Sequence, residues 1–321
     1  MIRVAILGSG RVANARVREL NLRKDAVITG VASSDLERAK KLADPVGAIA
    51  TNDWQSLISQ ADAIMVCSLN QFHREMCEFA LEQGKHVSVD YPLALSLSDT
   101  KKLIDLAESK KLVLHVEHIE LLSPWFNTLM AALPQIGPML NISWTHLTNR
   151  QATSIDWTFD KTSGSSFFIH AAVMSRLIRL AGPASWVSAN EKLLNLEESK
   201  FSGRITTVQI GFENGVVAQI LDGQGLNISP VNSRLSVIGA KGQLLAEKHE
   251  QVTLYLQNRS DPLPIATFSG LFGKDIDNFL KQIEDGRKSY ASLEHVYLLA
   301  KLAAAAEISC QKAQQVELKD L

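Results

Sequence analysis

The stretch HVSVDYPLALSLSD, His86 to Asp99, sets an acid, a tyrosine and a proline between an apolar β-branched run and a helix-start signal. A phenol keeps its proton at neutral pH, with a pKa of about 10, so Tyr91 there is a neutral hydrogen-bond donor and a flat apolar surface. Nearer the start of the chain, VAILGSGRVANARVREL reads as strand, GxGxxA turn and helix in immediate succession. In that context Gly8 permits the tight turn and Gly10 admits a pyrophosphate against the backbone. Ala13 lets the helix lie close to the strand, and Arg11 and Val12 open the helix whose N-terminus faces the phosphates. A dinucleotide turn and a tyrosine at a strand end together point to redox chemistry.

After the second strand the sequence runs GVASSDLERAKK. Ser33 and Ser34 can donate to a 2′-phosphate, and Arg38, Lys40 and Lys41 lie one or two helical turns on. NADPH is therefore expected as the cofactor, with NADH weaker. Asp35 follows and could serve as the ribose acid, but it reads better as the cap of the next helix. In VCSLNQFH, Ser68, Asn70 and His73 follow the strand expected at Ala63 to Cys67, and Asp90 closes the next. All four are expected beside the cofactor, since open α/β sheets bind ligands beyond the carboxyl ends of their strands. The segment HVEH predicts no metal site, because His115 and His118 point to opposite faces of a strand and its end. Glu117 shares a face with His115 and reads either as a border of the nicotinamide or as a structural ion pair.

The elements that must position these groups follow from the hydrophobic pattern. The first third alternates β-branched runs with amphipathic stretches, which calls for a parallel sheet covered by helices. Strands are expected at Arg3 to Leu7, Val27 to Ala32, Ala63 to Cys67, His86 to Val89 and Val113 to Val116. Helices are expected at Val12 to Arg23, Leu36 to Ala43, Phe72 to Gln83 and Leu97 to Ser109. The pattern then changes to one helix from Ile119 through Leu133 and to longer alternating runs with hairpin turns at ENG and AKG. A helix over Ser166 to Leu180 interrupts these runs, and helices at Lys274 to Asp285 and Ser292 to Gln314 close the chain. The fold class is α/β: a doubly wound parallel sheet over residues 1–118, then an α+β substrate domain with a large, mostly antiparallel sheet over 119–321.

Composition agrees. The 321 residues are 46% hydrophobic and 21% charged with a net charge of -1, which argues against a disordered chain or a basic nucleic-acid binder. Three scattered cysteines form no CxxC pair, so reduced thiols and a cytoplasmic location are expected. The first strand begins at residue 2 and no apolar run approaches a span, so neither a leader nor membrane insertion is expected.

The GxGxxA turn, VCSLNQFH and GKHVSVDYPLALS together resemble the glucose-fructose oxidoreductase and inositol dehydrogenase family over nearly the whole chain. Sugar-oxidising members commonly carry Glu-Lys-Pro at the strand end, where the lysine serves the reacting hydroxyl. This chain has Asp90-Tyr91-Pro92. The biliverdin reductase branch carries a tyrosine there, and KKLVLHVEHIELL, Lys110 to Leu122, is similar to a second segment of that branch. The resemblance implies NADPH-dependent reduction of a linear tetrapyrrole, most directly biliverdin to bilirubin. Hydride goes to the central methine, and Tyr91 holds or orients the substrate.

One position departs from the branch. Its second-domain helix usually carries an arginine thought to supply the proton, and HAAVMSRLIRLAGP places Val173 there. His170, three residues earlier, titrates near neutrality and can serve as acid, while Arg176 and Arg179 can bind a propionate or deliver a proton through water. Arg234 and Lys274 are further propionate candidates, with plain surface charge the alternative for each. A sugar or small-molecule dehydrogenase and a non-catalytic NADP(H)-binding sensor are the competing readings. The expected partner is a small molecule, a bilin, with no nucleic acid, no membrane and no obligate protein partner.

Overall fold

Short apolar runs buried on both faces need a parallel sheet with helices on each side. In the computed structural model, which describes residues 1–151, 157–169, 171–248, 250–267 and 270–321, they form such a sheet. Its strands are β1 (Ile2–Leu7), β2 (Ala26–Ala32), β3 (Ile49–Thr51), β4 (Ala63–Val66), β5 (His86–Asp90) and β6 (Leu114–Glu117). The helices between them are α1 (Arg11–Asn21), α2 (Leu36–Ala43), α3 (Trp54–Ser59), α4 (His73–Glu82) and α5 (Leu97–Ser109). The order β3-β2-β1-β4-β5-β6 reverses direction between β1 and β4, the switch point where such sheets leave a crevice at their carboxyl edge. The hydrophobic pattern leaves β3 and α3 unmarked, because three and six residues are too few for a period to register.

Asp35, Asp53 and Ser96 cap α2, α3 and α5 by accepting from the backbone N–H groups of Arg38, Ser56 and Asp99. By contrast, α1 starts at Gly10 with no side-chain cap, which leaves its first N–H groups for an anion. Alternate residues of β1 serve opposite layers. Val4 and Ile6 pack with Ala13, Val17 and Leu20 of α1, whereas Ala5 and Leu7 face the layer built from Leu57, Cys77, Leu81 and Leu103.

Contacts divide the chain into two units, Met1–Ile119 with Ser269–Tyr297, and Glu120–Phe268 with Leu298–Leu321. The sequence pattern places a single boundary after residue 118; packing returns a later segment to the first unit. The cause is the apolar stripe Ile276, Phe279 and Leu280, at i, i+3 and i+4, which completes the core against β1 and α1.

The second unit begins with α6 (Pro124–Ala132), followed by β7 (Met139–Leu147), α7 (Ser166–Ile169) and α8 (Ala171–Ala181). Six strands follow: β8 (Ala184–Leu194), β9 (Gly203–Phe212), β10 (Val217–Gln224), β11 (Asn232–Gly239), β12 (Gly242–Glu247) and β13 (Gln251–Leu256). Then come β14 (Arg259–Leu263), the returning helix α9 (Leu271–Asp285), α10 (Leu293–Lys312), within which the division between units falls, and β15 (Val316–Glu317). The sheet order is β14-β13-β12-β11-β7-β10-β9-β8-β15. All neighbours are antiparallel except β7 and β10, which run parallel. The ENG and AKG turns close the β9/β10 and β11/β12 hairpins, as expected.

The single helix expected over Ile119 to Leu133 is instead a 3-10 turn at Ile119–Leu122, then α6, then a second 3-10 turn at Leu133–Ile136. Pro124 is the reason: a ring without an N–H fits the first helical position and not an interior one.

Candidate active site

At the turn after β1, Gly8 has φ 131°, and a Cβ there would run into the Cys67 carbonyl. A Cβ on Gly10 would meet nothing within 4 Å, so the backbone lies open where α1 begins. Both features fit a pyrophosphate approaching the helix N-terminus. Arg11 is exposed there and Val12 half-buried.

Beside the turn, Ser9 Oγ and Ser33 Oγ are 2.7 Å apart, and the Arg38 guanidinium donates to the Ser9 carbonyl at 3.2 Å. Asp35 spends its Oδ1 on the Arg38 backbone N–H as the α2 cap. Ser33, Ser34 and Arg38 therefore present donors at a partly exposed rim where an acid would otherwise grip ribose hydroxyls. At the end of β4, Ser68 is half-buried, and buried Asn70 has an amide nitrogen with no protein partner, a donor suited to a bound cofactor.

His73 and Asp90, both expected beside the cofactor, are held by protein groups. The His73 ring is fully buried, with Nδ1 2.8 Å from the Pro92 carbonyl and Nε2 3.1 Å from the Ser68 carbonyl. The Asp90 carboxylate accepts from Arg16 Nη2 at 2.8 Å, and Arg16 Nη1 reaches Asp275 at 2.8 Å. Tyr91 stands between these anchors. Its ring lies stacked on the His118 imidazole, centroids 5.4 Å apart and planes at 14°.

Asp275, wholly buried, also accepts from His115 Nε2 at 2.8 Å and the Tyr290 hydroxyl at 2.6 Å. Gln282 donates to His115 Nδ1 at 2.9 Å, which puts the single ring proton of the neutral form on Nε2. Burial alone would raise the Asp275 carboxyl; the Arg16 charge and the hydrogen bonds from His115 and Tyr290 outweigh it and hold the group well below its usual range. For Asp90 burial prevails over Arg16 and pushes the carboxyl up. Glu117, also buried, accepts from the Ile119 backbone N–H at 2.9 Å.

In the second unit, the Arg176 guanidinium sits over two indoles, 5.3 Å from the centroids of Trp125 and of Trp144. Arg179, one turn on, is exposed. His170 lies outside the described residues. Val173 lines a cavity of about 20 Å³ with Ser166, Thr206, Arg204 and Asp222. Arg234 is exposed on β11, 4.0 Å from Glu247, and Lys274 is exposed on α9 of the other unit. Among the described residues no group of three or more His, Cys, Asp or Glu is arranged to hold a metal, and no helix is long and apolar enough to cross a membrane.

The sequence reading missed Arg16, Asp275, Tyr290 and the buried pair Arg204 and Asp222. A signal existed for two of them. Arg16 interrupts the stripe Ala13, Val17, Leu20, and Asp275 precedes the stripe Ile276, Phe279, Leu280, so each puts a charge on an apolar helix face.

Residues 2–118 match the model of the oxidoreductase family GFO_IDH_MocA, described as an NAD-binding Rossmann fold. Over those residues the chain is similar to that family. The chain is an NAD(P)-dependent oxidoreductase with a parallel Rossmann sheet and a mostly antiparallel second sheet. It is 22% identical to a myo-inositol 2-dehydrogenase of Thermotoga maritima over 335 residues, covering 100% of this chain and 99% of that one. It is 27% identical to mouse biliverdin reductase A over 283 residues, 87% of this chain and 85% of the relative. A crystal structure of biliverdin reductase from Synechocystis, in complex with biliverdin and NADP+, superposes with a TM-score of 0.92 at 26% identity, covering 97% of this chain and 99% of that one.

Proposed function

We propose that this oxidoreductase reduces a linear tetrapyrrole with NADPH, biliverdin to bilirubin being the favoured reaction. The observation that carries the reading is Tyr91, stacked on His118 at the strand end where sugar-oxidising relatives place a lysine. Alcohol oxidation needs a group that helps a hydroxyl shed its proton, and a phenol of pKa about 10 is poorly suited to that. A broad conjugated substrate needs a flat apolar surface with a donor at its edge, which Tyr91 provides. The similarity to the Synechocystis enzyme over nearly the full chain supports the same reading.

Gly8, Gly10, Arg11 and Val12 would hold the pyrophosphate, and Ser33, Ser34 and Arg38 the 2′-phosphate, with Ser68 and Asn70 at the β4 end. When bound, the reduced nicotinamide supplies a hydride. The methine carbon of biliverdin gains that hydride and a pyrrole nitrogen gains a proton, so bilin, hydride and proton balance to bilirubin. Tyr91 orients the bridge. Arg176, clamped between indoles and always charged, suits a propionate better than it suits giving up its proton. Arg179, Arg234 and Lys274 are further propionate contacts, His170 the candidate acid, and Glu117 a border of the nicotinamide site. A cytoplasmic setting belongs to this proposal, supported by three free cysteines.

The test is a spectrum of the protein mixed with biliverdin and NADPH. Loss of the biliverdin band with gain of the bilirubin band is expected. An unchanged bilin spectrum, with turnover of inositol or another polyol instead, would move the assignment to the sugar dehydrogenases, which the inositol dehydrogenase match favours equally by sequence.

A further inference from the structure

Two chains of hydrogen bonds leave the Asp275 carboxylate and end on the two neighbours of Tyr91, Asp90 in sequence and His118 in space. One passes through Arg16, which donates to Asp275 and to Asp90, the residue before Tyr91. The other passes through Tyr290, whose hydroxyl donates to Asp275 at 2.6 Å and accepts the His118 backbone N–H at 2.9 Å; the His118 ring then lies under Tyr91. His295 meets the same imidazole edge-on, at 5.8 Å between centroids.

We propose that Asp275 and Tyr290, brought back to the first unit with α9 and the segment after it, are positioning residues that set the backbone and ring platform of Tyr91 for the reaction. The proposal rests on the reading of Tyr91 as the residue that faces substrate.

A buried ion-pair network is an inefficient source of stability, because removing its charges from water costs about what their attraction returns, and apolar residues of equal volume often do as well. Directional bonds with fixed lengths deliver geometry instead. Every strong donor to Asp275 comes from a different piece of chain: Arg16 from α1, His115 from β6 and Tyr290 from the segment after α9. The His115 tautomer is fixed by Gln282, so the carboxylate is held from three directions. A displaced aromatic platform costs rate rather than cofactor affinity, since errors near 1 Å in placement cost on the order of 100-fold.

Tyr290→Phe tests this, because it keeps the ring and removes only the hydroxyl. At a temperature where circular dichroism shows both proteins folded, kcat for biliverdin reduction is expected to fall about tenfold or more while the NADPH dissociation constant stays within about twofold. The chain has four tyrosines, so 3-fluorotyrosine labelling gives a small fluorine spectrum in which Tyr91→Phe assigns the Tyr91 signal. That signal is expected to shift in Tyr290→Phe. An unmoved Tyr91 signal, or a kcat within about twofold of the unmodified protein, overturns the proposal. If the unmodified protein does not reduce biliverdin, the functional reading fails and the fluorine signal alone still decides whether Tyr290 sets Tyr91.

Discussion

The Tyr91 ring lies nearly parallel to the His118 imidazole, at 14° with 5.4 Å between centroids. A phenol held this way works mainly through its surface, since its proton is reluctant to leave near neutral pH. Tyr91→Phe is expected to keep turnover within about tenfold, and Tyr91→Ala to raise KM for biliverdin further by removing the platform. Single-turnover rates at saturating NADPH check this. A collapse by several orders of magnitude in Tyr91→Phe, with binding intact, would identify the phenol as the acid.

Cofactor choice is expected to follow Arg38. Its guanidinium already reaches the Ser9 carbonyl beside Ser33, while Asp35 is committed to the helix cap. NADPH should bind more tightly than NADH, and Arg38→Ala should narrow the gap by about tenfold, the value of one charge-assisted contact. Dissociation constants from fluorescence titration measure it; equal values in the unmodified protein would remove the basis for NADPH.

The pair Arg204 and Asp222, 2.6 Å apart with Arg204 only 1% exposed, makes a separate stability prediction. Burial pushes the Asp222 carboxyl up and the Arg204 guanidinium down, and each holds the other charged. Arg204→Met or Asp222→Leu alone should cost about 3–5 kcal/mol, because one buried charge loses its nearest partner, Glu191 standing 3.9 Å from Arg204. The double variant should recover most of that loss in urea melts. Simple additivity of the two losses would mean that the charges do not depend on each other.

Acid should titrate Asp62 late. Hydrogen bonds from Arg3 hold its carboxyl down at about 2 against an ordinary value of 3.8. A carboxyl lowered on folding contributes stability above its unfolded value and loses it as pH falls through the folded one. The Asp62 contribution is therefore full above pH 4 and fades toward pH 2. In Arg3→Met the carboxyl resonance should titrate near the ordinary value; an unchanged midpoint would show that Arg3 is not the cause.

The sequence by itself determined the parallel first sheet, the dinucleotide turn, the hairpins and the place of Tyr91 at a strand end. These depend on local spacing: GxGxxA needs only its neighbours, and β-branched runs declare burial within a few residues. Only the tertiary structure decided that Asp90 accepts from Arg16, that His73 braces two backbone carbonyls, and that α9 returns to the first unit to bring Asp275 under Arg16 and His115. It also decided the parallel pairing of β7 with β10 inside an otherwise antiparallel sheet. The physical reason is the same in each case. A charged side chain on an apolar helix face, or a strand among others of similar pattern, has no partner in its own segment, and its role is fixed only when distant chain is packed against it.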